Sequence, residues 1–232
     1  MKKIGLLGGT SWHSSIDYYR LLNQEVNNRL GGVASADLIL RSVNFAVHHQ
    51  HQVNGEWDKI LAAFAADARQ MEQMGAQAIV ICANTMHKVA SDLQHQLSIP
   101  ILHIADAVAD AAKQNNCQSL AVLGTIFTME QDFYRDALER NGLTMLVPEK
   151  AARVEVNRII YEELVVGTIS QQSQQYYCQV IEQLTSQEAD AIVLGCTEIG
   201  LLVKPDMTKL PQIDSLKSHV KYICDWMLSD SV

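Results

Sequence analysis

The segment Leu194-Gly-Cys-Thr-Glu198 puts a thiol, a hydroxyl and a carboxylate on consecutive positions directly after an apolar run. A cysteine that follows a glycine just past a buried strand sits where backbone N–H groups converge. Such a setting is expected to lower the thiol pKa and prepare a thiolate. Thr197 adds a hydroxyl and a backbone N–H suited to a carboxylate. On pattern alone, Cys196 also reads as a small buried hydrophobe, a common place for a free cysteine. A second segment, Cys82-Ala-Asn-Thr-Met-His87, follows the apolar run that begins at Ala78. Asn84 and Thr85 offer an amide and a hydroxyl at a strand end. Neighbouring residues of an extended chain point to opposite faces, so Cys82 and Ala83 cannot both aim at one ligand, and Cys82 reads as core. His87 is either a satisfied structural group or one with a direct role, orienting a neighbour or donating.

Two further segments carry polar groups. Gly8-Gly-Thr-Ser-Trp12 lacks the full Gly-x-Gly-x-x-Gly spacing of a dinucleotide site. Its glycines instead let the backbone approach a small ligand, with Thr10 donating, and Gly124-Thr125 is its later counterpart. Val47-His-His-Gln-His-Gln52 clusters three histidines, but no carboxylate or cysteine stands at ligand spacing nearby. It reads as a polar loop that contributes one group, Gln52, to a substrate, and not as a metal site. Cys117, Cys178 and Cys224 have no polar company and are assigned no role.

The elements that must position these groups alternate. Strands are expected at 3–7, 37–42, 78–82, 101–103, 119–123, 144–146 and 191–194. Their consecutive Ile, Val and Leu suit strands buried on both faces. Helical patterns are expected at 15–29, 58–74, 130–141, 154–166 and 171–184, several ending at a glycine (Gly75, Gly142, Gly167). This order implies parallel α/β sheets, whose ligands bind beyond the carboxyl ends of the strands. The chain also resembles itself. Ala76-Gln-Ala-Ile-Val-Ile-Cys-Ala matches Ala189-Asp-Ala-Ile-Val-Leu-Gly-Cys196, and Leu7-Gly8 matches Leu123-Gly124 at nearly the same offset. Two similar αβ halves follow, with Ala83 standing opposite Cys196 and Cys82 opposite Gly195.

Composition narrows the function classes. The net charge of −8, with basic residues scattered, disfavours nucleic acid and anionic membranes. No apolar run approaches the ~18 residues of a membrane span. The N-terminal apolar stretch is too short for a signal peptide. Five cysteines, an odd number with no Cys-x-x-Cys pair, argue against a disulfide framework and for reduced thiols in a cytoplasmic protein.

Taken in order, Gly8-Gly-Thr-Ser-Trp, Asn84-Thr-Met-His, His103-Ile-Ala-Asp-Ala, Leu123-Gly-Thr-Ile-Phe-Thr-Met129, Leu194-Gly-Cys-Thr-Glu and Asp214-Ser…His219 resemble the aspartate/glutamate racemase family across essentially the whole chain. The resemblance is strongest to its broad-specificity or Asp/Glu-specific amino-acid branch. It implies two pseudo-symmetric parallel-sheet αβ domains with the active site in the cleft between them: 1–103 with 214–232, and 104–213. It also implies no cofactor, a small amino-acid substrate, a homodimer, and a C-terminal helix after His219 that returns to the first domain. The implied chemistry is racemisation by two thiols, one removing the α-proton and one delivering a proton to the other face. Thr10, Gln52, Asn84, Thr85, Thr125, Thr197 and Glu198 are then pocket residues around Cys196. The match breaks at Ala83, where two-thiol members carry their first cysteine; alanine transfers no proton. Nor do residues 46–52 or Glu163-Leu-Val-Val166 carry the Lys or Arg with which aspartate-specific members hold the side chain. The expectation is a slow or one-directional racemase. The alternatives are a non-catalytic amino-acid-binding homologue and a one-thiol decarboxylase or isomerase of dicarboxylates.

Overall fold

The computed structural model of the chain describes residues 1–229. It comprises two compact units: Met1–Ile104 with the chain from His219 onward, and Ala105–Ser218. In the first unit β1 (Ile4–Gly8), α1 (Trp12–Leu30), β2 (Leu38–Ser42), α2 (Phe45–Val53), α3 (Trp57–Gln73), β3 (Ala78–Ile81), a 3₁₀ turn (Thr85–Val89), α4 (Ala90–Gln94) and β4 (Ile101–Leu102) follow one another. After α5 (Ile104–Gln114) come β5 (Ser119–Gly124), α6 (Ile126–Glu130), α7 (Asp132–Arg140), β6 (Thr144–Leu146), α8 (Lys150–Glu162), a 3₁₀ turn (Leu164–Val166), α9 (Gln171–Ser186), β7 (Ala191–Gly195), α10 (Ile199–Leu202), β8 (Gln212–Asp214) and α11 (Ser215–Leu228).

All strand pairings are parallel, and the two sheets have one topology, β2-β1-β3-β4 and β6-β5-β7-β8. The internal repeat is therefore architectural: β1 corresponds to β5 and β3 to β7. These four strands are buried along their length because helices cover both faces. In the first unit α3 lays Ile60, Phe64, Ala65, Ala68 and Met71 against Leu7, Ile79 and Ile81. In the second, α8 and α9 bring Val156, Ile159, Ile160, Tyr177, Val180 and Ile181 against Ala121, Leu123 and Ile192.

Several expectations need correction. The polar stretch Val47–Gln52 is not a loop but the body of α2, started by Asn44, whose side chain accepts from the Ala46 N–H. His48 and Gln52, four apart, are its buried face, so a polar buried stripe concealed the helical period. The helix expected over 130–141 is α7, which starts at Asp132 because Gln131 is extended (φ −95°, ψ 149°), and the short α6 before it was not foreseen. The helix expected from Val154 starts at Lys150, and its last turn is 3₁₀ before left-handed Gly167 (φ 81°). β8 was not foreseen: it is three residues long and buries Ile213 alone. α11 begins at Ser215, ahead of His219.

One glycine of the β1–α1 turn is irreplaceable. Gly9 has φ +93°, and a Cβ there would lie 2.3 Å from both the backbone N and O of Val43. Gly9→Ala is expected to cost about 3 kcal/mol through forced backbone displacement, read as a lowered denaturant midpoint at unchanged slope.

A buried histidine couples the first unit to pH. His219 Nε2 donates to the Leu102 carbonyl (2.8 Å), so its Nδ1 accepts from the Tyr18 hydroxyl (2.7 Å). Burial first, and the nearby His87 second, push its pKa down to about 3. The unfolded chain binds a proton at this site below its ordinary value of about 6.5 and the native state does not. Stability is thus intact above that value and declines as pH falls towards 3, by at most about 5 kcal/mol from this group. Denaturation from pH 7 to 4 is expected to show a shallower decline for His219→Gln than for wild type.

Candidate active site

In the first unit the ends of β1 and β3 are tied to the start of α1. The Gly9 N–H donates to Ser15 Oγ (2.7 Å), and Ser14 Oγ donates to the Cys82 carbonyl (2.9 Å). Thr10 follows Gly9 and is buried, and its Oγ1 has no partner among the described residues. Gln52 reaches in from α2, with its Nε2 on Met86 Sδ (3.5 Å), while its buried Oε1 is likewise unmatched. A buried polar atom without a partner costs about 1–3 kcal/mol, so each of these two calls for an explanation.

Past β3 the chain turns through Ala83 into the 3₁₀ turn, burying Asn84 and Thr85 at its start. His87 Nδ1 donates to the Ala83 carbonyl (2.8 Å), and its Nε2 accepts from the Ile104 N–H (3.2 Å). Both ring nitrogens are thus engaged, and burial holds the imidazole neutral, its pKa well below the ordinary value. Of its two readings the structural one applies: His87 fixes the turn that presents Asn84 and Thr85. Cys82 is fully buried and burial drives its thiol pKa up. Ala83 is half-buried and offers no acid or base.

The histidines of α2 are engaged individually: His48 packs on Phe64, His49 on Phe45, and His51 bonds Glu56 (2.7 Å).

In the second unit β5 and β7 end side by side, with Gly124 paired to Gly195. A Cβ on Gly195 would stand 2.9 Å from the Leu123 carbonyl oxygen, so this close approach needs glycine. Thr125 caps α6, its hydroxyl accepting from the Thr128 N–H (3.4 Å). At the end of β7 the Cys196 S–H donates to Glu198 Oε2 (2.9 Å), and the Thr197 hydroxyl donates to the same oxygen (2.7 Å). The expectation of a lowered Cys196 pKa fails. Burial first, and then the Glu198 carboxylate, raise it well above the ordinary thiol value; backbone N–H groups of Glu198 and Thr197 oppose this without prevailing. At rest Cys196 is a thiol and hence a proton donor.

Tyr161 and Tyr177 had no sequence signal beyond apolar helix faces, yet both are electrostatically coupled to Cys196. Burial, then Cys196, then Glu198 raise Tyr161 to about 12, and burial with Cys196 pushes Tyr177 well up. Glu163 instead joins α8 to the start of α9, bonding Arg158, Ser170 and Ser173 (Ser173 Oγ at 2.5 Å). Two strand-end turns, each following a glycine-bearing strand pair, thus carry small polar groups, and the second carries a hydrogen-bonded thiol.

Residues 7–223 match the family described as Asp/Glu/hydantoin racemase. The chain belongs to this family. A crystal structure from Yersinia pestis, described as a candidate Asp/Glu racemase, is 44% identical over 98% of this chain and 100% of its own, with TM-score 0.94. An aspartate racemase homologue from Pyrococcus horikoshii is 31% identical over 98% and 99%, with TM-score 0.84. The broad-specificity amino-acid racemase RacX of Bacillus subtilis is 27% identical over 162 residues, 68% of each chain. As a family member the protein is an amino-acid racemase, an isomerase, and the architecture expected from the motifs, two αβ units with parallel sheets, is the one found. No helix among the described residues is long and apolar enough to cross a membrane.

Proposed function

We propose that the chain is a cofactor-independent racemase of aspartate, glutamate or a broader set of amino acids, with Cys196 as its acid/base at the α-carbon, and that Ala83 weakens it, leaving α-hydrogen exchange confined to one face and inversion slow. The observation that carries this reading is the Cys196 thiol on a buried carboxylate at the end of β7. The α-hydrogen is far less acidic than a thiol, so the substrate α-carboxylate must be met by donors that stabilise the carbanion as it forms. Thr10, Asn84, Thr85, Thr125 and Thr197 are buried or half-buried groups of that kind near strand ends, and Gln52 is a buried one on α2.

In the reaction the Cys196 thiolate takes the α-hydrogen, the electron pair stays on carbon, and a proton returns. Returned from Cys196, it restores the starting configuration. Inversion needs a donor on the opposite face, and at the position equivalent to Cys196 in the repeat the chain has Ala83. Cys82, fully buried with its thiol pKa driven up, is unsuited to that role, which leaves water. The absence of Lys and Arg from α2 and from residues 163–166 supports a substrate side chain held without a strong cationic anchor.

We read the enzyme as a homodimer in a reducing cytoplasm. The five free cysteines support the second point, and the exposed stripe of Trp12, Ile16 and Tyr19 on α1 supports the first. The test of the function is α-hydrogen exchange in D₂O, followed by NMR, on both enantiomers of aspartate, glutamate and neutral amino acids. Exchange by one enantiomer of a pair supports the reading. No exchange with any of them overturns it, and turnover of malonates or maleate in the same assay would instead favour one-thiol chemistry on dicarboxylates.

A further inference from the structure

Three features of the second unit bear on how Cys196 changes charge. The thiol and the Glu198 carboxylate share a hydrogen bond of 2.9 Å. The accepting oxygen, Oε2, is held from a second side by the Thr197 hydroxyl at 2.7 Å. Glu198 is 9% exposed and stands directly before α10, two residues along the chain from the sulfur.

We propose that Cys196 and Glu198 form one acid–base unit that carries a single proton and a single negative charge, with Glu198 receiving the thiol proton whenever Cys196 acts as the base. This rests on the reading of Cys196 as the α-carbon acid/base. The S–H bond of Cys196 breaks and an O–H bond forms on Glu198 Oε2. The thiolate then takes the α-hydrogen: the C–H bond breaks, a new S–H bond forms, and the electron pair remains on the substrate α-carbon. The return steps run in reverse, and nothing is oxidised or reduced.

Two phenols stand beside the pair, Tyr161 on α8 and Tyr177 on α9. Both are raised and neutral throughout the working range, so neither supplies the proton acceptor. Because the unit moves its proton internally, the population of its active form does not depend on bulk pH while one proton is held. A lone thiol behaves differently: it must lose its proton to solvent, and its thiolate fraction rises about tenfold per pH unit below its pKa.

The experiment is α-hydrogen exchange in D₂O from about pH 6 to 8.5 with wild type, Glu198→Gln and Glu198→Asp, using L- and D-aspartate and glutamate as probes. In parallel, iodoacetamide alkylation of Cys196 is followed by peptide mass against pH. Wild type is expected to exchange at a rate flat within about twofold over this range. Glu198→Asp should keep the flat profile at reduced rate, and Glu198→Gln should rise about tenfold per pH unit. Losing the carboxylate charge should also move the alkylation midpoint of Cys196 in Glu198→Gln downwards by at least about one pH unit. A flat exchange profile in Glu198→Gln, or an unshifted alkylation curve, overturns the proposal. So does a wild-type alkylation midpoint at the ordinary thiol value near 8.5, a result that needs no folded variant. If no probe exchanges, the reading of Cys196 at the α-carbon fails, while the alkylation curves still decide whether the pair shares a proton.

Discussion

Ala83→Cys is expected to turn a one-directional exchange catalyst into a two-directional racemase. The strands preceding Ala83 and Cys196 are equivalents in sheets of identical order, and the repeat aligns Ala83 with Cys196. The site is half-buried, at the turn between β3 and the 3₁₀ segment, so one added sulfur does not overpack a closed core. A positioned acid or base contributes typically 10²–10⁴-fold to such a proton transfer. Configuration inversion of the unfavoured enantiomer, measured by chiral chromatography, should therefore rise by about 10²–10⁴-fold in the variant. The ratio of forward to reverse kcat/KM is fixed at one by the equilibrium constant in wild type and variant alike, so the gain is read in the absolute inversion rate from either enantiomer. An unchanged inversion rate in a folded Ala83→Cys protein would mean that this position does not meet the α-carbon.

Cys196→Ala is expected to abolish α-hydrogen exchange, by at least about 10³-fold in kcat, with KM changed far less. The thiol is the partner of Glu198 Oε2, which keeps the Thr197 hydroxyl when sulfur is lost, so the turn should hold its shape. The residues proposed to meet the substrate carboxylate are not altered by this substitution. Loss of kcat with binding retained is the signature of a group that acts on the reacting atoms. A proportional loss of stability and KM would point to a packing role. Cys196→Ser should recover little, because an alcohol is a much weaker acid than a thiol.

What could be read in advance divides along physical lines. Strands announce themselves by unbroken apolar runs, whether buried throughout like β1, β3, β5 and β7 or largely exposed like β2, and seven of the eight strands among the described residues, with the equivalence of β1 with β5 and β3 with β7, followed from this. β8 did not, because three residues with one buried side chain carry no period. α2 was missed because its inward residues, His48 and Gln52, are polar, and periodicity is ordinarily sought in apolar residues. The segment bearing the thiol was legible, since Gly195-Cys-Thr-Glu is a local word. The direction of its pKa was not. Backbone donors at a strand end argue for a thiolate, whereas desolvation at the half-buried Cys196 and the Glu198 carboxylate folded back onto it raise its pKa. Which way a side chain turns within two residues is set by packing, here with Tyr161 and Tyr177 beside it, and neither tyrosine belongs to any motif.

The central claim is that a single thiol, Cys196, performs the α-proton chemistry from one face. The most direct measurement follows deuterium incorporation and configuration together, starting separately from each enantiomer of the preferred substrate in D₂O. The account predicts rapid α-deuteration with retained configuration for one enantiomer, slow inversion, little exchange for the other, and none of these in Cys196→Ala. Equal exchange and inversion from both enantiomers, or exchange that survives in Cys196→Ala, would contradict it.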